Sequence, residues 1–184
     1  MKKVMMFFAE GFEEVEALSV VDVLRRGGVE VEMTSIDEGK VVTGSHGIGI
    51  ITNRNIKDVT AEDLEDMDGF LLPGGMPGTL NLKKSERVRE ILCRGNEKGK
   101  LLGAICAAPI VFGACDILKG KKATCYPGFE KELTGAEATT NPVVVDGNIV
   151  TSRGVGTALD FGLTLLGILT DEENSKKIKE SILH

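Results

Sequence analysis

The sequence predicts an α/β fold: an open, mostly parallel sheet with helices on both faces. Short apolar runs alternate with amphipathic stretches along the whole chain. Glycine closes the amphipathic stretches at 27–28 and at 99, where helix C-caps require it. No linker, repeat or low-complexity tract interrupts the alternation. One domain over residues 1–184 is therefore expected, long enough for a sizeable core.

The elements follow in order. "KKVMMFFA" is a buried first strand. "EEVEALSVVDVLRRGG" is a helix in which Val15, Leu18, Val21, Val23 and Leu24 mark roughly one face, ended by Gly27 and Gly28. Arg25 and Arg26 complement the dipole at its end. "VEVEMTSI" alternates apolar and polar residues, as a half-exposed strand does. "KVVTGSHGIGIITN" is a strand, a glycine-rich turn and another strand. The short acidic stretch "AEDLEDM" precedes "GFLLPGG", a buried strand stopped by Pro73 and two glycines. "SERVREILCRGNEKG" is a helix with Ser85 as N-cap. "KLLGAIC" is a strand, "APIVFGACDIL" a helix and "KATCYP" a further strand. "VVVDGNIVTS" is a hairpin around Asp146-Gly147. "GTALDFGLTLLGIL" and "DEENSKKIKESIL" close the chain as two helices.

Composition removes several function classes. Asp and Glu outnumber Lys and Arg, 28 to 22, with no basic run, no Trp and one Tyr. A nucleic-acid partner is not expected. The apolar run Val4–Ala9 is too short for a secretory h-region, and no stretch reaches the ~20 apolar residues of a membrane span. A cytoplasmic protein is expected. The four cysteines, Cys93, Cys106, Cys115 and Cys125, include no C-x-x-C pair, and His46 and His184 are the only histidines. No metal site, no cofactor and no disulfide framework is expected, and each thiol is judged singly.

Four turns follow strands and should share the carboxyl edge of the sheet, where such folds bind ligands. They are "EGFEEVE" (10–16), "PGGMPG" (73–78), "CAAP" (106–109) and "SRGVGTA" (152–158). Cys106 falls at a strand-to-helix junction, where outward amides and the helix dipole would favour thiolate and lower its pKa. The competing reading is a buried cysteine without a role. Gly74 and Gly75 allow close backbone approach, and their amides, with that of Ala107, are candidate oxyanion donors. Charge at a helix start accounts for Glu13 and Glu14. Glu16 is expected to turn toward the sheet edge, keep its proton beside the sulfur and donate to it. His46 and His184 have no local partner and are taken as surface residues, the latter frayed at the terminus. Arg153 and Gly154 lie in a glycine-containing turn before a helix, a candidate anion cradle or pocket wall.

In their order and spacing, "GFEEVEA", "DVLRRGG", "LPGG", "AICAAP" and "TSRGVGTALDFG" resemble the ThiJ/PfpI superfamily, in the branch of the parkinsonism-associated deglycase. The resemblance runs from Gly11 to Gly162. It implies a flavodoxin-like three-layer sandwich, a homodimer, a nucleophile at Cys106 and a hydrogen-bonding carboxyl at Glu16. It implies pocket positions at Gly74, Gly75 and Ala107. Two positions depart from the pattern. The PfpI-type proteases have histidine directly after the cysteine, where this chain has Ala107, so a protease or amidase loses its base. Tyr126 stands where some members of the nearer branch carry histidine.

The activity so implied is cysteine-dependent chemistry on reactive 2-oxoaldehydes such as methylglyoxal, of the glyoxalase or deglycase type. Cys106 forms a hemithioacetal, Glu16 shuttles the proton, and the products are those of a hydro-lyase or hydrolase. Glycated adducts are the related substrates. The alternative is a redox-sensing or stress-response chaperone that uses oxidation of Cys106.

Overall fold

A computed structural model describes the chain from Met1 to His184. Its first half contains β1 (Lys3–Phe8), α1 (Glu14–Arg26), β2 (Glu30–Ser35), β3 (Val41–Thr43), β4 (Gly49–Ile51), β5 (Arg54–Asn55), α2 (Ala61–Asp66), β6 (Gly69–Leu72) and α3 (Gly78–Lys84). The second half contains α4 (Glu86–Glu97), β7 (Leu101–Ile105), α5 (Pro109–Ala114), β8 (Lys122–Ala123), β9 (Glu137–Ala138), β10 (Val143–Asp146), β11 (Ile149–Ser152), α6 (Ala158–Leu169) and α7 (Glu172–Ser181). Seven strands form the central sheet in the order β10-β11-β7-β6-β1-β2-β5, parallel except for the β10–β11 hairpin. This is the predicted flavodoxin-like α/β architecture.

Successive side chains of a strand point to opposite faces, and β1 supplies both cores in this way. Val4, Met6 and Phe8 pack with Val20 and Leu24 of α1, Phe161 and Leu166 of α6 and Ile178 of α7. Met5 and Phe7 pack on the other face with Ile91 and Leu92 of α4 and Val111 and Phe112 of α5. Burying each such side chain stabilises the fold by about 1.5–3 kcal/mol, which makes the central strands its firmest part. No helix is long and apolar enough to cross a membrane.

Several local expectations are corrected. Val15 and Leu18 do not join the buried stripe of α1; they are 50% and 37% exposed, while Ala17 and Val20 take the inward positions. The acidic stretch 61–66 is a helix, started by a reciprocal cap between Thr60 and Asp63. Helix α3 lies between "PGGMPG" and Ser85, where no element was expected. "KATCYP" pairs with another strand only through Lys122 and Ala123, and that strand is β9, outside the main sheet. Beyond them the Thr124 amide donates to Thr151 Oγ1 and the Tyr126 amide to Cys106 O at 2.7 Å, which bends the segment toward the Cys106 turn. Helix α5 stops at Ala114 rather than running to Leu118, because Asp116 enters the left-handed region at φ 58°. His184 is tied down: its Nε2 lies 2.9 Å from Asp160 Oδ1.

Candidate functional site

Strands β1, β6, β7 and β11 are mutually parallel neighbours, so the four turns that follow them meet at one edge. Cys106 occupies the turn after β7 with φ 64°, a left-handed conformation uncommon outside glycine. Its amide donates to Ser152 O at 3.0 Å and its carbonyl accepts from Tyr126. The turn is thus over-determined by β11 on one side and residue 126 on the other. A strained backbone held this firmly projects the side chain off the sheet edge, as a nucleophile elbow does.

Glu16 reaches this thiol from the first turn of α1. Its amide donates to Glu13 Oε2 at 2.6 Å, which caps the helix, and its side chain is buried. One carboxylate oxygen, Oε2, accepts from the Gly74 amide at 3.1 Å, and the carboxyl hydrogen-bonds the Cys106 thiol. The amides of Gly75 and Ala107 both point at the sulfur. Gly74 therefore differs from the expectation for an oxyanion donor, because its N–H is committed to Glu16. A Cβ on Gly74 would stand 2.5 Å from both Cys106 Cβ and Glu16 Oε2, so only glycine lets the two side chains meet.

Burial pushes Glu16 up to about 7, helped by the charge of Glu13 and opposed by the bonds from Cys106 and the Gly74 amide. Burial likewise pushes the Cys106 thiol up to about 12, reinforced by the Glu16 carboxylate and opposed by the Ala107 and Gly75 amides. The lowered thiol pKa expected from a helix start is corrected here. Helix α5 has only six residues and begins three positions after Cys106, so its dipole is outweighed by desolvation and the adjoining carboxyl. Above neutrality the pair carries one negative charge, shared along one hydrogen bond.

The thiol opens into a solvent-facing cleft of about 540 Å³ whose walls include Glu16, His46, Tyr126, Arg153 and Gly154. A Cβ on Gly154 would come within 3.7 Å of Glu16 Oε1 and 3.5 Å of the Tyr126 ring, so these three meet in one corner. The Tyr126 ring is half exposed and packs edge-on against Phe129. The turn 152–158 is not the open anion cradle that was expected. The amides of Arg153 and Gly154 already donate to Thr157 Oγ1, at 3.3 and 3.2 Å, and Arg153 Nη1 donates to Thr140 O.

His46, expected to be a surface residue without a partner, lies on the cleft wall. Its Nδ1 is 2.8 Å from Glu14 Oε2 and its amide donates to Glu14 Oε1 at 2.7 Å. Glu14 is buried, not merely a charge at a helix start, and it anchors the β3–β4 turn to α1. Burial raises its pKa, but the bonds from His46 and the Ile48 amide outweigh this and bring it to about 2. The same partner raises that of His46. Possible ligand atoms of Glu13, Glu14 and His46 lie within 4.8 Å of one another, but both Glu14 oxygens are already engaged by the turn. Nothing local in the sequence pairs residue 14 with residue 46; the only signal was a histidine in a turn that must fold back over the sheet edge.

Residues 2–167 match the model of the DJ-1/PfpI family. The chain is 39% identical over 179 residues to Protein DJ-1 homolog B of Arabidopsis thaliana, covering 96% of this chain and 40% of that protein. It thus spans less than half the length of that relative. With Protein dj-1beta of Drosophila melanogaster the identity is 32% over 184 residues, 99% of this chain and 97% of the fly protein. The structure of oxidized Toxoplasma gondii DJ-1 superposes with a TM-score of 0.94 at 34% identity, covering 100% of this chain and 99% of the other. With a strained cysteine at the elbow and a match from β1 into α6, the chain belongs to the DJ-1/PfpI family.

Proposed function

We propose that the chain is a cysteine-dependent enzyme acting on 2-oxoaldehydes, a cofactor-free glyoxalase of the deglycase type. What carries the reading is convergence at one sulfur: the strained elbow of Cys106, the Glu16 carboxyl and the amides of Gly75 and Ala107. The sulfur adds to the aldehyde carbon as its proton passes to Glu16, giving a hemithioacetal. The two amides hold the oxyanion that develops. Glu16 then moves a proton from C1 to C2 through an enediol, leaving a 2-hydroxyacyl thioester. Water cleaves the thioester, releasing the hydroxyacid and restoring the thiol. Because the cleft is open, the aldehyde-derived group of a glycated side chain also fits this reading.

Lactate formation from methylglyoxal tests it. Activity is expected in the wild-type chain and at background in Cys106→Ser; equal activity in both, or none in either, sinks the proposal. The second reading, oxidation of Cys106 as a signal, is favoured by the oxidized state of the Toxoplasma relative. The donors set for an oxyanion would also bind a sulfinate.

We propose further that two copies pair through the start of α1. Val15 and Leu18 stand exposed there, and Leu159 is exposed at the start of α6, a helix that packs on α1 and starts at the same sheet edge. Twice the chain mass of 19.7 kDa, 2 × 19.7 = 39.4 kDa, is the expected result of light scattering on the eluting protein. A mass of one chain would exclude pairing.

A further inference from the structure

We propose, on the 2-oxoaldehyde reading of the site, that Tyr126 sets its substrate class: the cleft selects aryl-substituted carbonyl compounds, phenylglyoxal over methylglyoxal. The cleft has two unlike walls. Strand β7 lies between β11 and β6, so the Cys106 turn has the 152–158 turn on one side and the turns after β6 and β1 on the other. Glu13 and His46 line the β1 side, with His46 Nδ1 3.7 Å from Glu13 Oε1. On the β11 side stand three exposed apolar side chains, Tyr126, Pro127 and Val155. Arg153 belongs to the same side, and its Nη1 donates to Thr140 O.

The ring is placed relative to the thiol by contacts at both its ends. Its residue's amide donates to the Cys106 carbonyl at 2.7 Å, and the ring leans edge-on against Phe129, centroids 6.5 Å apart. Gly154 puts no side chain between this ring and Glu16: a Cβ there would stand 3.5 Å from Tyr126 Cδ2 and 3.7 Å from Glu16 Oε1. The space a side chain would fill is therefore open, beside the carboxyl that moves the proton. A half-exposed ring already held in place loses little freedom when it becomes a platform. An aryl group packed against it takes both surfaces out of water, which a methyl group is too small to do. With its substituent on this wall, the substrate presents its aldehyde carbon to the sulfur and its aldehyde oxygen to the amides of Gly75 and Ala107.

Two measurements test this. The kcat/KM for phenylglyoxal divided by that for methylglyoxal should exceed one in the wild-type chain. It should fall about 3–10-fold in Tyr126→Ala and stay near the wild-type ratio in Tyr126→Phe. The loss should lie in KM, because the ring holds the substrate alike before and after the addition. The second measurement needs no turnover and no variant to fold: the rate at which phenacyl bromide alkylates Cys106, divided by the rate for bromoacetone. This quotient cancels the thiolate fraction and is compared with the same quotient for a free small thiol. It should be larger at Cys106 of the wild-type chain and drop to the free-thiol value in Tyr126→Ala. A raised, Tyr126-dependent quotient in a protein that turns over neither aldehyde would leave the aryl wall standing and sink the glyoxalase reading. A wild-type quotient equal to that of the free thiol overturns the inference. So does a turnover preference for methylglyoxal, or a kcat/KM ratio that Tyr126→Ala leaves unchanged.

Discussion

Glu16→Gln should lower methylglyoxal turnover by about 10²–10⁴-fold, the span of general acid–base catalysis, and yet raise stability at neutral pH. Glutamine keeps the size and can still hydrogen-bond, but it cannot carry a proton from sulfur or between carbons. Burial lifts the native carboxyl from 4.5 to about 7, so the native state holds this proton where the unfolded chain has released it. The stabilisation from the protonated form is complete below about pH 4.5 and lost as pH rises through 7. The loss is on the order of 3 kcal/mol, and a neutral side chain avoids it. Calorimetry should therefore find the variant no more stable than wild type near pH 4, but clearly more stable near pH 8. Wild-type turnover should rise with pH through about 7 as the base ionises, a limb absent from the residual activity of the variant. A variant that loses activity and also loses stability at both pH values would mean that Glu16 is structural.

Much of this site was legible before any coordinates because it depends on topology. Parallel strands place the turns after β1, β6, β7 and β11 on one edge, so identifying those strands brings Glu16, Gly75, Cys106 and Arg153 together without any contact being known. What escaped was set by partners distant in the chain. Glu14 could be excused as a helix-start charge because its partner is the β3–β4 turn. Val15 and Leu18 follow helical spacing as well as Val21 and Leu24 do, but they lie on the flank that the sheet does not reach. Periodicity finds the apolar stripe; only packing finds its width. Segment 124–127 has strand composition, yet its amides are drawn off by Thr151 and Cys106. Local propensity has no access to that competition.

Gly75→Ala should cost on the order of 3–5 kcal/mol of folding stability, more than the substitution of any exposed glycine near the cleft. Gly75 sits at φ 92°, where a side chain is strained whatever the space around it. A Cβ there would stand 2.3 Å from Glu13 N, 2.5 Å from Phe12 C and 2.6 Å from Gly11 O. All three are backbone atoms, so no rotamer change relieves the overlap, and the turns after β1 and β6 must separate. Those turns carry the cap of Glu16 and the Gly74 amide that holds its carboxylate, so their separation also moves the base from the thiol. Gly156→Ala is the control: it lines the same cleft, and a Cβ there meets nothing within 4 Å. Denaturant unfolding of the two variants checks the prediction, with the control expected within about 0.5 kcal/mol of wild type. Equal, small losses would mean that the two turns are not in contact. A loss confined to position 75 would locate the rigidity of the Cys106–Glu16 pair in backbone packed against backbone.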